Sequence, residues 1–413
     1  MSPRELAWRL GAPAAARLRE RRRHALPDWS HEPWLASLRE LVGTRGDAFA
    51  ADAARVAAGE LELWGRPVAS RPGSIDWDAN PLSGRGWSEH GPRSGLDAKP
   101  IWELHRQQHL LPLAAGAVAA GRPEWGSLCI EDVAAWIAAN PRDTGAPGWS
   151  SAYETSHRLV GWGVAIPLVS TVCDVPSSLA TAYGEQARFV AARTSRYSSA
   201  NNHRIVELTG SSAGALLTHD RAELVRLADE LSQAARNQTF SDGGSREQAA
   251  GYFLYVLETL WFAGLVLRAG NVDLSRLREV VLRMLDWLDA VADAAGEPPP
   301  VGDDAEDRIL RVEYYEPRRA ASLASRAREL FSEASGPSRG RRAPASRLLA
   351  DSGYAVFREP ARTRIVFDVG DLGFGRLAAH GHADALAVLV DIAGVPMAWD
   401  SGTYTYAAAD GRD

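Results

Sequence analysis

Three short segments carry residue types capable of acid–base or ligand chemistry. The first is Ser198-Ser199-Ala200-Asn201-Asn202-His203-Arg204, running into a helical stretch that includes Glu207 and Leu216. Asparagine favours the start of a helix, and a helix starting here turns free backbone N–H groups, the Asn202 amide, His203 and Arg204 toward a mouth that attracts anions. A plain cap with a surface histidine and arginine explains the same letters. The second segment is Phe240-Ser241-Asp242-Gly243-Gly244-Ser245-Arg246-Glu247-Gln248, a polar loop leading to Tyr252 and Tyr255 on the next helix. Its paired glycines permit a tight turn, while tyrosine at such positions is by default a half-buried packing residue. The third is His380-Gly381-His382-Ala383-Asp384, with Asp400 just past an apolar strand. Two histidines and a carboxylate form a ligand set that zinc accepts, and their spacing puts both rings on one side of an extended segment. Two polar loop histidines beside a turn aspartate are an equal reading, and no further ligand is evident after Asp400.

The elements that must position these groups divide along the chain. From about 97 to 295, apolar residues recur at three- and four-residue spacing between short Gly, Pro, Ser or Asn breaks, which predicts a succession of helices. Ser151 with Glu154, and Ser245 with Gln248, read as capping boxes that open two of them. Residues 221–238 and 274–295 read as further amphipathic helices. Between 296 and 345 the composition shifts to Pro, Gly, Ser, Arg and acidic residues, marking a boundary region. Beyond it, 353–359, 363–369, 386–392 and 395–399 are short β-branched or aromatic runs punctuated by glycine, as strands are. Helices first and strands after predict an α+β multidomain chain: an unassigned, partly helical segment 1–96, a helical domain 97–345 and the start of a β domain 346–413.

Composition sets the outer limits. The 413 residues are 46% hydrophobic and 24% charged, as in an ordinary globular protein, and exceed what one core usually serves. A net charge of −6 argues against a nucleic-acid partner, so an acidic ligand would need a local cluster of cations. That cluster would be arginine, since Lys99 is the only lysine. Cys129 and Cys173 are too few for a disulfide framework. No stretch reads as a membrane span. The arginine-rich first 23 residues lack the apolar core of a secretory signal, so the chain reads as cytoplasmic, with a periplasmic or secreted location as the alternative.

The three segments occur in the order and with the wording of the heparinase II/III-like polysaccharide lyases, which the chain resembles from about Asp97 to its last residue. Ile101-Trp102-Glu103-Leu104-His105-Arg106, the run from Trp149 through Arg158 to Trp162, and Gly302-Asp303-Asp304 add to the resemblance. It implies an N-terminal (α/α) toroid followed by an antiparallel β-sandwich, here reading as truncated at Asp413 with an uncovered apolar face. It also implies cleavage of a uronic-acid-containing polysaccharide by β-elimination, leaving a 4,5-unsaturated end. Heparin-like, alginate-like and capsular glycans all fit. By the same resemblance, Asn202 and His203 contact the uronate carboxylate, Tyr252 transfers the proton with Tyr255 the weaker candidate, and His380 is the base for the opposite C5 configuration. Arg204, Arg246, Glu207 and Trp149 are expected to bind substrate. Arg246, Arg204 and His203 are the expected sources of positive charge to activate the tyrosine. His382 and Asp400 match the ligands of a structural zinc whose third ligand is missing from this chain. Ala249-Ala250-Gly251 stands where relatives often carry a Ser-Pro pair, which points to a different subsite shape.

Two alternatives belong to other classes. A glycoside hydrolase on the same toroid would need two carboxylates across the bond, drawn from Glu103, Asp242, Glu247 or Asp384. A non-catalytic acidic-glycan-binding protein would keep the fold without the chemistry.

Overall fold

The computed structural model describes residues 25–43, 45–90, 96–197, 200–304, 306–315, 319–332, 345–359, 363–375, 378–382 and 384–403, with the isolated positions 5 and 12. The N-terminal arginines Arg4, Arg9, Arg17, Arg19 and Arg21 to Arg23, the motif positions Ser198, Ser199, Ala383 and Tyr404, and residues 336–340 of the boundary region lie outside these.

Two helices, α1 (Glu32–Gly43) and α2 (Gly46–Ala57), open the described chain, followed by an antiparallel hairpin of β1 (Glu60–Leu63) and β2 (Arg66–Ala69). Then come α3 (Lys99–His105), α4 (Leu110–Ala119), α5 (Pro123–Ala139), α6 (Ala152–Val169), α7 (Ser177–Ala192), α8 (Asn202–Leu217), α9 (Arg221–Gln238), α10 (Ala250–Ala269), α11 (Ser275–Val291) and α12 (Ala320–Ser332). Five strands close the series: β3 (Arg347–Leu349), β4 (Tyr354–Glu359), β5 (Thr363–Asp368), β6 (Val388–Ile392) and β7 (Val395–Ala398). They form one antiparallel sheet in chain order. The chain is thus a helical region followed by a small antiparallel sheet, and β3 is a strand the sequence pattern did not predict.

Helices α6 and α10 form the centre. Every residue of α6 is buried, as is α10 from Ala250 to Leu267. By length and composition α10 is apolar enough to cross a membrane, but it is a core helix enclosed on all sides. Segment 1–96 contributes directly to this core. Gly116 on α4 lies so close to α2 that a Cβ there would sit 2.8 Å from the Phe49 carbonyl oxygen, so only a glycine admits this helix contact.

Neither expected capping box closes, although the serine half of the first forms while the Glu154 carboxylate accepts from Arg106 instead. Ser151 Oγ accepts from the Glu154 N–H at 3.1 Å at the start of α6. Ser245 instead accepts from Glu247 N, and α10 begins five residues later at Ala250. The loop before it is held otherwise: Thr239 bridges to Ser245, Gln248 takes a φ of 50°, and its side-chain amide donates to the Ser352 carbonyl at 3.0 Å. A tertiary tie to the sheet overrides the local capping signal.

The sheet docks on the end of α11. Arg364 donates to the Val291 carbonyl at 2.6 Å and pairs with Asp391, while Arg358 donates to the Ala290 carbonyl at 3.0 Å. Guanidinium groups thereby satisfy the carbonyls that a helix C-terminus leaves open. Tyr354, Val356, Val366 and Leu389 face the helices and are buried. On the opposite face Phe357, Val388, Ile392, Val395 and Met397 are about half or more exposed.

Candidate active site

A cleft of about 440 Å³ opens between α3, the starts of α6, α8 and α10, and the segment around Asp307. Asn202, His203 and Tyr252 line it, together with Asp97, Lys99, Trp102, Arg106, Tyr153, Glu154 and Asp307.

Asn201 is the N-cap of α8; its side chain accepts from the His203 N–H at 3.2 Å. Asn202 follows in the first turn, where its backbone N–H and its Nδ2 donate to the two oxygens of Glu247 at 2.8 and 2.9 Å. Glu247 is fully buried, and burial pushes its carboxyl up to about 7 while the two hydrogen bonds from Asn202 pull it down. The loop that delivers Glu247 turns at Gly243, whose φ of 98° and 2.0 Å hypothetical Cβ distance to the Arg283 carbonyl demand glycine. Asn202 Oδ1 is buried with no hydrogen-bond partner among the described residues.

His203 stacks on Tyr153 with ring centroids 4.2 Å apart. Burial pushes its imidazole down to about 4, so at neutral pH it is uncharged and offers one N–H. Beneath it, Tyr153 Oη donates to Asp307 Oδ2 at 3.3 Å.

Tyr252 and Tyr255 sit in the same helix yet part ways. Tyr252 lines the cleft and lies against His380, ring centroids 3.8 Å apart. Tyr255 is wholly buried, its hydroxyl bonded to His157 Nε2 at 2.8 Å, and burial raises its phenol well above the usual range. His380 reaches across from the sheet side on a backbone with φ of 67°, a left-handed conformation that is strained for a non-glycine residue. Its carbonyl accepts from Asp303 N at 2.8 Å. Its Nε2 lies 3.4 Å from Asn201 Nδ2 and 3.6 Å from Glu247 Oε2. Burial lowers this imidazole too, to about 4. Asn202, His203, Tyr252 and His380, drawn from three distant segments, therefore converge.

The four expected substrate-binding residues do not line the cleft. Arg204 pairs with Glu230. Arg246 lies over the Phe240 ring at 4.4 Å. Glu207 is buried and accepts from Ser195 N and Oγ at 2.6 and 2.7 Å, which makes it a brace for that loop. Trp149 donates to the Asn140 carbonyl and packs on Trp136 and Phe189. With both arginines turned away and His203 neutral, the cations lining the cleft are Lys99 and Arg106. Arg106 is buried in a network with Glu103, Glu154 and Asp307. Sequence reasoning missed Arg106, Tyr153, Glu154 and Asp307 as a group; the available signal was a run with Glu103 and Arg106 one helical turn apart.

None of the four carboxylates considered for a hydrolase lines the cleft. Glu103 is ion-paired to Arg106 and Arg311, Glu247 holds Asn202, Asp242 accepts from Ser352, and Asp384 accepts from Gly302 N at 2.5 Å.

At the expected zinc position, His382 Nε2 is buried without a hydrogen-bond partner, 3.8 Å from Asp400 Oδ1 and 3.9 Å from Asp384 Oδ2. Among the described residues no three of His, Cys, Asp or Glu are grouped so as to hold a metal. The side chains present do not complete a closed zinc site.

Residues 60–276 match the family Heparinase II/III N-terminus, and residues 341–413 match Heparinase II/III-like, C-terminal. No curated protein matches the chain. Among solved structures, heparinase III is similar with a TM-score of 0.67 at 18% identity, covering 88% of this chain and 60% of that one. The heparan sulfate lyase HepC from Pedobacter heparinus is similar with a TM-score of 0.55 at 17% identity, covering 91% of this chain and 61% of that one. The chain thus spans about three-fifths of the length of these structures, and at such identity the likeness shows the fold alone.

Proposed function

This chain belongs to the heparinase II/III-like family, and we propose that it cleaves a uronic-acid-containing polysaccharide by β-elimination. The observation that carries this is that Asn202, His203 and Tyr252 line one cleft, with the His380 ring packed against Tyr252. The C5 proton of a uronate is too weakly acidic to leave until its carboxylate is neutralised. The second Nδ2 hydrogen of Asn202 and the N–H of neutral His203 are donors for that carboxylate, stabilising the charge that builds on it.

Tyr252, as the phenolate, takes the C5 proton. The C4–O4 bond then breaks, a C4–C5 double bond forms, and the phenol returns the proton to the departing O4. His380, neutral at pH 7, has a lone pair with which to take the proton from a uronate of opposite C5 configuration. Glu247 accepts one hydrogen bond from the Asn202 backbone N–H and one from its Nδ2, so that the donor is held in place before substrate arrives. A structural zinc on His382 and Asp400 is a separate proposal, tested by metal analysis, and no chemical step passes through it.

Incubation with a panel of acidic polysaccharides tests this reading. Ultraviolet absorbance of the conjugated double bond should rise with chain cleavage. New reducing ends without absorbance would make the protein a hydrolase, and binding without either product would make it a glycan-binding protein.

A further inference from the structure

We propose that Lys99 is the substrate-facing cation of the cleft, binding an acidic substituent, carboxylate or sulfate, on a sugar of the bound glycan. This rests on reading the cleft as an acidic-glycan site. Lys99 is the single lysine among 46 Lys and Arg residues, and it stands in the wall of this cleft. It opens α3, and its ammonium is 3.7 Å from Asp307 Oδ1 and 5.5 Å from the centre of the Trp64 ring.

The other cation in the wall cannot serve. Arg106 gives Nε and Nη2 to Glu154 at 2.7 and 2.9 Å, and Nη1 to Glu103 and Asp307 at 2.8 and 2.6 Å. Turning it toward a ligand would strand buried carboxylates. The same bonds leave the Asp307 oxygen nearest Lys99 already occupied by Arg106. Asp97, also in the wall, accepts from the Lys99 backbone N–H at 2.8 Å. A polyanion entering a cleft that holds Asp97, Glu154 and Asp307 meets repulsion, and a compact ammonium on a flexible four-carbon stem can move to meet the incoming charge, as a forked guanidinium locked in ion pairs cannot. Trp102, next along the same wall, adds an apolar ring face.

A sole lysine permits a direct test. Reductive methylation with 13C-formaldehyde labels Lys99 and the α-amine, and Lys99→Arg identifies which NMR signal is which. The labelled protein, carrying Tyr252→Phe to prevent turnover, is titrated with unsulfated oligouronate and, separately, with sulfated oligosaccharide, with calorimetry in parallel. The Lys99 signal should shift saturably while the α-amine signal stays; the arm giving the tighter response identifies carboxylate or sulfate as the ligand. In unlabelled protein, Lys99→Met should raise KM about tenfold or more, flatten the salt dependence of KM and change kcat little. Calorimetric binding with a silent Lys99 signal would overturn this proposal alone. Absence of binding by either glycan would overturn the acidic-glycan reading with it.

Discussion

On the helical side of the cleft, Asn202, His203 and Tyr252 sit in the first turns of α8 and α10, where buried helices and a buried carboxylate hold them. On the sheet side, His380 occupies a turn with φ of 67°, tied by one backbone hydrogen bond to Asp303 and backed by a sheet whose far face is exposed. The two walls supply comparable chemistry by different means. The helical wall is held by its own core, whereas the position of His380 depends on how the sheet seats against α11 through Arg358 and Arg364. Groups that must be placed to within an ångström are safest on the first kind of support.

The largest expected effect isolates the helical wall. Tyr252→Phe should cost on the order of a hundredfold or more in kcat, the usual scale for a positioned acid or base, with substrate affinity nearly intact. Tyr255→Phe should leave turnover per folded molecule unchanged and lower the melting temperature, because it removes a buried hydrogen bond to His157 worth about 1 kcal/mol. Reversal of the two results would move the chemistry one turn along α10.

Comparable in size are Asn202→Ala and His203→Ala, each expected to raise the barrier by about 3 kcal/mol if the carboxylate is held as an oxyanion is. Asn201→Ala removes the cap and should cost about 1 kcal/mol of stability. Melting temperature and turnover on the same preparations separate donor from cap.

A smaller effect concerns Glu247, which touches both walls. Ionised, it accepts both Asn202 hydrogen bonds, so kcat should rise as pH climbs through about 7, and Glu247→Gln should flatten that limb. Because its folded pKa is raised, the folded protein holds a proton that the unfolded chain has lost between about 4.5 and 7. Its contribution to stability therefore falls across that window as pH rises. His203 and His380, lowered to about 4, act oppositely: their contribution grows from about pH 4 to 6.5. A pH–melting comparison of wild type and Glu247→Gln shows whether the two contributions separate.

The smallest effects are expected outside the cleft. Arg204→Ala and Arg246→Ala should each change KM less than about threefold, since one is spent on Glu230 and the other on Phe240. A partly exposed ion pair contributes at most about 1 kcal/mol of stability. A tenfold rise in KM for either would mean that substrate binds beyond the cleft described.

Residue types and local periodicity sufficed to identify the helical run, four of the five strands of the sheet, and the three motifs from which the candidate site is assembled, because helix and strand patterns are written over a few residues. The ranking of Tyr252 ahead of Tyr255 for proton transfer came instead from the resemblance to the heparinase II/III-like lyases, since the letters alone read both as packing residues. The placing of Tyr252 in the cleft wall and of Tyr255 in the core, the turning away of Arg204, Arg246, Glu207 and Trp149, and the replacement of a Ser245 cap by a loop tied to Ser352 were decided only by the tertiary structure. A side chain's partner can lie a hundred or two hundred residues away, as Glu247 is matched to Asn202 and Arg106 to Asp307. No local pattern encodes such a distance, and whether a polar group faces a cleft or a buried partner depends on which helices close around it.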